Sequence, residues 1–474
     1  MDEKEASKVG VDIDVASGSR IEAGDSVSIK AGSAHLHRRL NASQVQLYAI
    51  GTAIGTGVFV SMGSYLPNGG PAGLFLGFVS WSVVLYGVNE CYAEMVCHAP
   101  VPGAFVRFAA EWVDEALGFA VSWAFFFNQA FLMTFEVTAI HRLIGFWDTH
   151  NKMPVEATTF IVIVLYGLIN LMPVQWFGTV EFCLTLGKVF LILLTLAFAF
   201  VTMLGGNPLH DRYGFRYWKT PGAFAEYLVD GHAGQFLGFL SCATMAAFII
   251  CGPEYIAMVA SETQAPRRVL PAAYSSFKFR LLFFFCGAAL AMGIVVPYND
   301  PTLAGILSGD ISGSGTSAAS PYVIAMERLN IPGLANFFNA IVITSVFSAG
   351  NGYVFSSSRA LYTMAVANRA PAFLAKTTRN GVPIYAVGNI FFPGEWSLKW
   401  FFLNYAFLAI FPLSFLGWKL FRKTQYRPMG TADLGLGGDV KEIDDYEELI
   451  EYRPLTGLYG LVEKTFGGMR SQRS

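Results

Sequence analysis

The chain has 474 residues, of which 54% are hydrophobic, 15% aromatic and only 14% charged. Soluble domains carry about a quarter charged residues. Together with a mean hydropathy of +0.46, this excludes an ordinary soluble enzyme and points to an all-α polytopic membrane protein. The formal net charge of -2 decides nothing, because in membrane proteins the placement of Lys and Arg matters more than their sum.

Residues 1–38 are rich in Ser, Gly and charge and lack the apolar core of a signal peptide. They are expected to be a disordered cytoplasmic tail, with a regulatory role for Lys4, Lys8 or Lys30 as the lesser reading. A span needs about 20 mostly apolar residues. Such runs lie at about 44–66, 72–96, 117–141, 155–175, 181–205, 237–260, 279–298, 334–364 and 399–420. The run at 334–364 is the weakest, because SAGNGYVFSSSRALY is polar along one side.

HLHRRL before the first span places the N-terminus in the cytoplasm by the positive-inside rule. The loop after span 6 then lies inside and carries Arg267, Arg268, Lys278 and Arg280. The segment HDRYGFRYWK, after span 5, fits poorly, being basic yet outside. The alternation also fails at the end. A last span starting inside would put WKLFRKTQYR and the acidic DVKEIDDYEELIEYRP on the exterior, against the same rule. Parity therefore asks for an odd number of missing spans, with GVPIYAVGNIFFPGEWSLKW as the junction. The expected layout is a tail at 1–38, spans 1–8 over 39–387, a last span over 388–422 and a C-terminal tail at 423–474. Cys91, Cys97, Cys183, Cys242, Cys251 and Cys286 show no paired spacing and read as packing residues rather than a disulfide framework or metal site.

Two spans carry helix breakers. AIGTAIGTGVFVSMG in span 1 contains Gly51, Gly55, Gly57 and Gly63, and FIICGPEYIAM in span 6 contains Gly252, Pro253 and Glu254. Bare backbone groups cost several kcal/mol each in hydrocarbon, so non-helical backbone at membrane depth has to line a cavity or meet a ligand. A break at 52–57 exposes N–H groups at the positive end of a half-helix, which suits a carboxylate. Carbonyls freed in span 6 accept from an ammonium. Paired broken spans in corresponding positions point to a transporter built on an inverted repeat. Close helix packing through small residues is the competing reading for either span alone.

The motifs IGTAIGTGVFVSMG (50–63), ECYAEMVCHAPVPGAFVRFAAEWVDEALGFA (90–120), EFCLTLGKV (181–189), GPEYIAMVASETQAPRRVLPAA (252–273) and SSSRALYTMAVANRAPAFLAKTTRNGVPIYAV (356–387) resemble the fungal amino acid permeases. These form the yeast amino acid transporter branch of the amino acid–polyamine–organocation superfamily. The resemblance runs from about residue 40 to 387, and FFPGEWSLKWFFLNYAFLAIFPLSFLGWKLFRKT resembles the family's last span. It implies that spans 9, 10 and most of 11 are absent between Val387 and Gly388, and that GFRYW lies outside. It also implies a LeuT-type inverted-repeat fold whose second repeat is incomplete here. Spans 1, 2, 6 and 7 would form the moving bundle against a scaffold of 3, 4 and 8.

By the same resemblance, Ala53, Ile54, Gly55, Thr56 and Gly57 hold the substrate carboxylate. Phe248, Ile249, Cys251 and Gly252 present carbonyls to the amine, and Glu136 in span 3 faces the substrate or else is a paired structural carboxyl. Glu254 and Glu94 are implied to be structural. Lys188 stands deep in span 5, where a charge is a functional candidate by default. It is expected to couple protons to substrate, or else to be a structural ammonium on span-1 carbonyls.

No ATP-binding loop or catalytic motif is visible, so the chain is expected not to be an enzyme and to need no cofactor beyond a proton gradient. The leading expectation is a proton-coupled amino acid importer of the plasma membrane, with the amino acid, the proton and the lipid bilayer as partners and no nucleic acid. The rival expectations are a non-transporting amino acid receptor or regulatory partner, and a non-functional truncated permease.

Overall fold

The computed structural model describes residues 38–148, 152–308, 320–331, 333–378, 385–387, 407–428 and 430–451, with 21–22, 310, 318, 382 and 383 besides. Among them the regular structure is helical, apart from a two-residue parallel pairing of Ile21–Glu22 with Ile450–Glu451 and a single parallel bridge between Leu40 and Thr263. Six helical stretches are long and apolar enough to cross a membrane, with Val155–Leu171 a shorter apolar helix. Phe160, Leu168, Leu193 and Phe200 lie exposed on the outer faces of their helices, as suits a surface that meets lipid rather than water.

Helix α1 is Ala42–Ala53. Asn41 caps it, its side chain accepting from Gln44 N–H at 3.0 Å while the Gln44 side chain accepts from Asn41 N–H at 3.1 Å. Every residue of α1 is buried, so the helix runs through the middle of the bundle. After a break, helical backbone resumes as a π-helical turn, Gly57–Ser61, and passes through a 3-10 turn, Gly63–Tyr65, into α2, Leu66–His98. Gly70, with φ 68°, turns the chain where spans 1 and 2 meet.

In chain order there follow α3 (Ala104–Phe108), α4 (Glu115–Ile144), α5 (Val155–Leu171) and α6 (Val174–Met203). Next come α7 (Arg216–Lys219), α8 (Gly231–Ile249) and, after the second break, α9 (Pro253–Val259). Span 7 begins earlier than its apolar run: the helical path starts with α10 (Pro266–Ser275) and continues through α11 (Phe277–Arg280) and a π turn into α12 (Gly287–Val295). Pro266 at the first helical position starts it, a place where proline's missing N–H costs nothing. Beyond α13 (Pro301–Ser308) and α14 (Pro321–Arg328) comes α15, Leu334–Val366.

The 33 residues of α15 reach about 50 Å at 1.5 Å per residue. Its polar side is wholly internal. Ser345, Ser348, Asn351, Ser356, Ser357, Ser358 and Arg359 are all buried, where α15 packs on α1, α4 and α6. The weak apolar signal of 334–364 therefore marks a helix wrapped by others.

Val387 closes a described segment, and residues 388–406, which include the expected junction, lie outside the described residues. The helix α16, Phe407–Arg422, lies along α4. Trp418 stacks on Phe119 with centroids 4.0 Å apart, and Lys419 is paired with Asp114, the N-cap of α4. The acidic α17, Asp439–Leu449, docks at one end of the bundle. Asp439 pairs with Arg107 at 2.5 Å, Asp444 with Arg267, and Arg38 lies 5.1 Å from the Tyr446 ring centroid.

Candidate functional site

Both expected breaks are present. In span 1 the α-helix ends at Ala53, Ile54 is extended (φ -111°, ψ 101°), and Thr56 is again helical. Ala53, Ile54, Gly55 and Thr56 are buried, and Gly57 is half-buried. In span 6, α8 ends at Ile249, Ile250 is extended, and Gly252 takes φ 150°, ψ -43° before α9 starts on Pro253. That conformation favours glycine. A Cβ there would also meet the Phe277 ring at 2.7 Å.

The two breaks face each other. A Cβ on Gly57 would lie 3.1 Å from Ile249 Cγ1. The span-6 break frees carbonyls by a simple route. Gly252 N–H, which would continue the helix to Phe248, instead donates to Glu254 Oε2 at 3.1 Å and Oε1 at 3.2 Å. Pro253 has no N–H to offer the carbonyl of Ile249. Among the described residues that oxygen receives the Cys251 thiol, at 3.8 Å. Phe248 contributes backbone alone to such a site, since its side chain points outward and is 56% exposed. Tyr274 ties the start of α9 down by donating to the Pro253 carbonyl at 3.2 Å.

The two Thr56 donors at the span-1 break are already in use. Thr56 N–H donates to Glu136 Oε1 at 3.3 Å, and the Thr56 hydroxyl donates to Glu136 Oε2. A Cβ on Gly55 would run into the Glu136 carboxylate. Of the groups expected to receive a substrate carboxylate, the N–H and hydroxyl of Thr56 thus hold the carboxylate of α4.

Lys188 is fully buried on α6, and its ammonium donates to the Gly51 carbonyl. The acids within electrostatic reach of it are Glu181 and Glu136. Glu181 was not singled out as a site residue from sequence. It lies seven residues before Lys188, two turns along one helix face, and that spacing was the available signal. It accepts from Ser348 Oγ at 2.5 Å and Asn351 Nδ2 at 3.3 Å on α15. Asn170 of α5 extends the network to Asn351 Oδ1 at 2.8 Å. A Cβ on Gly51 would lie 2.5 Å from Glu181 Oε1. One buried carboxylate therefore sits at Gly51, before the span-1 break, and another at Gly55 and Thr56, within it, and the ammonium bonds the Gly51 carbonyl.

Glu94 stands apart from this site. It is exposed near the end of α2, with no ion pair or side-chain hydrogen bond among the described residues. A second buried pair lies away from the breaks. Arg359 of α15 meets Glu262, in the turn after α9, at 2.8 Å, with both side chains 3% exposed or less.

Residues 44–398 match the amino acid permease family. The chain is 41% identical to the general amino acid permease AGP2 of Saccharomyces cerevisiae, over 81% of its own length and 64% of that protein. It is 39% identical to the probable proline-specific permease put4 of Schizosaccharomyces pombe, over 70% of its length and 60% of that protein. The chain therefore spans less than two thirds of these relatives. Among solved structures it is similar to MhsT in complex with L-phenylalanine, at 14% identity and a TM-score of 0.48, covering 86% of this chain and 93% of that one. With the family matched across most of its length and its permease relatives on either side of 40% identity, this chain belongs to the amino acid permease family.

Proposed function

We propose that the chain is a secondary carrier that imports amino acids across the plasma membrane with protons, by alternating access, with its N-terminus in the cytoplasm. The observation that carries this reading is the pair of facing breaks, 54–56 in span 1 and 250–252 in span 6. Their chemistry is complementary to a zwitterion. Amide N–H groups at the positive end of a helix suit the carboxylate, and the carbonyls of Phe248 and Ile249 suit the ammonium. Glu136 borders the carboxylate end, and Glu254 braces the second break. Such breaks in an inverted repeat of the LeuT type place the substrate between a rocking bundle and a fixed scaffold. Lys188, held on the hinge carbonyl of Gly51 and flanked by two acids, is the group through which protonation reaches the break.

Reconstitution into liposomes tests the reading. Each of the twenty L-amino acids is offered as radiolabel under an inward proton gradient. Accumulation above the external concentration, collapsed by a protonophore, is the expected result. Saturable binding without accumulation would replace the carrier by an amino acid receptor.

A further inference from the structure

We propose that Glu136 is a tethered stand-in for the substrate's α-carboxylate: it fills the cradle at Thr56 in the empty protein, and an amino acid binds by displacing it. The inference rests on the amino acid site proposed above and assigns Glu136 a role opposite to that of a substrate-binding acid. Both carboxylate oxygens are committed to the half-helix end, Oε1 to the Thr56 N–H at 3.3 Å and Oε2 to the Thr56 hydroxyl. This is the two-pronged contact that a substrate carboxylate would make at a helix N-terminus.

The missing side chain of Gly55 is what admits the carboxylate, since a Cβ there would overlap Oε1 and approach Ala349 to 3.1 Å. Glu136 itself is buried, 3% exposed. It comes from α4, whereas the cradle belongs to the break after α1, so its seating joins two separate elements. Two ionised carboxylates at one such end repel each other strongly. Binding is therefore an exchange of one carboxylate for another. Seated on Thr56, Glu136 lies within electrostatic reach of Lys188, so its displacement by substrate changes the charge environment of the ammonium on Gly51.

The test uses the full chain in lipid nanodiscs as wild type, Glu136→Gln and Glu136→Asp. The twenty L-amino acids are screened by thermal shift. The strongest ligand and its decarboxylated amine are then titrated calorimetrically. A stand-in that occupies the cradle about nine-tenths of the time lowers apparent affinity about tenfold. Both variants are therefore expected to bind the amino acid about tenfold more tightly, with no gain for the amine. Where the two differ or Glu136→Gln does not fold, Glu136→Asp decides, because it keeps the charge and loses one methylene of reach. Equal or weaker binding by the variants overturns the stand-in and makes Glu136 an ordinary substrate contact. Absence of binding in wild type and variants alike overturns the amino acid site itself, and the stand-in with it.

Discussion

The ammonium of Lys188 donates to the backbone carbonyl of Gly51, in the last turn of α1 before the chain leaves the helix. A carbonyl at a helix end lacks its i+4 donor, and here a charged side chain from another helix supplies one. The ammonium thereby holds the break from the side of α6.

Lys188→Met removes the donor and the charge together. If Lys188 carries the coupling, concentrative uptake is lost while exchange of labelled for unlabelled amino acid across the liposome membrane persists. Uptake and counterflow measured on the same vesicles separate the two. Accumulation that retains the pH dependence of wild type would remove Lys188 from the coupling step.

Gly252→Ala carries two costs. Residues forced into sparsely populated backbone regions lose about 1–3 kcal/mol, and the new Cβ meets the Phe277 ring. A fall in melting temperature is expected, and the further fall that Gly252→Ala causes in a Phe277→Ala background should be smaller but not zero. No further fall in that background would mean that the backbone at Gly252 is not strained for alanine.

Arg359 and Glu262 are 97 residues apart, and Nε meets Oε1 at 2.8 Å with the guanidinium 3.7 Å from the Phe355 ring centroid. Removing one partner of a buried pair leaves an uncompensated charge and costs about 3–5 kcal/mol. Arg359→Met should therefore be strongly destabilised, and Arg359→Met with Glu262→Gln much less so. Chemical denaturation in micelles reads both, and equal losses would mean that the pair is not coupled.

Asp114, at the foot of α4, gives a pH signature. Burial pushes its carboxyl up, but hydrogen bonds from Lys419, Thr424 and the Ala116 N–H outweigh burial and hold it below the ordinary carboxylate range. A group depressed in the folded state contributes its stability fully above its unfolded pKa, about 3.9, and loses it as the pH falls through the folded value. The stability advantage of wild type over Asp114→Asn should be constant above about pH 5 and shrink below about pH 4. A pH-independent difference would detach α16 from this capping carboxylate.

Much of this organisation was legible in the sequence because breakers in apolar runs have few meanings. Gly55 and Gly57 within AIGTAIGTGVF, and Gly252-Pro253 within FIICGPEYI, marked where the backbone leaves the helix. The partners of those breaks were not legible. In helices apolar on nearly every side, the pattern gives no register, so nothing in FLMTFEVTAI shows that Glu136 turns toward Thr56. Glu181 stands at the start of the apolar run 181–205, where the local pattern does not show whether an acid is buried. Its burial depends on Ser348 and Asn351, which arrive from α15. The pairing of Arg359 with Glu262 rests on helix crossings that no local pattern encodes.

The acidic helix α17 also acts as a ruler. Asp439 grips Arg107, in the segment after α2, and Asp444 grips Arg267, at the start of α10. Five residues of α-helix fix those grips about 7.5 Å apart along the axis, and the helix between them does not stretch. The two segments can swing together, and they part only as far as the two Arg side chains can extend before one grip is released. A stretch of chain far from the breaks thus sets the spacing at that end of the bundle, as a caliper would.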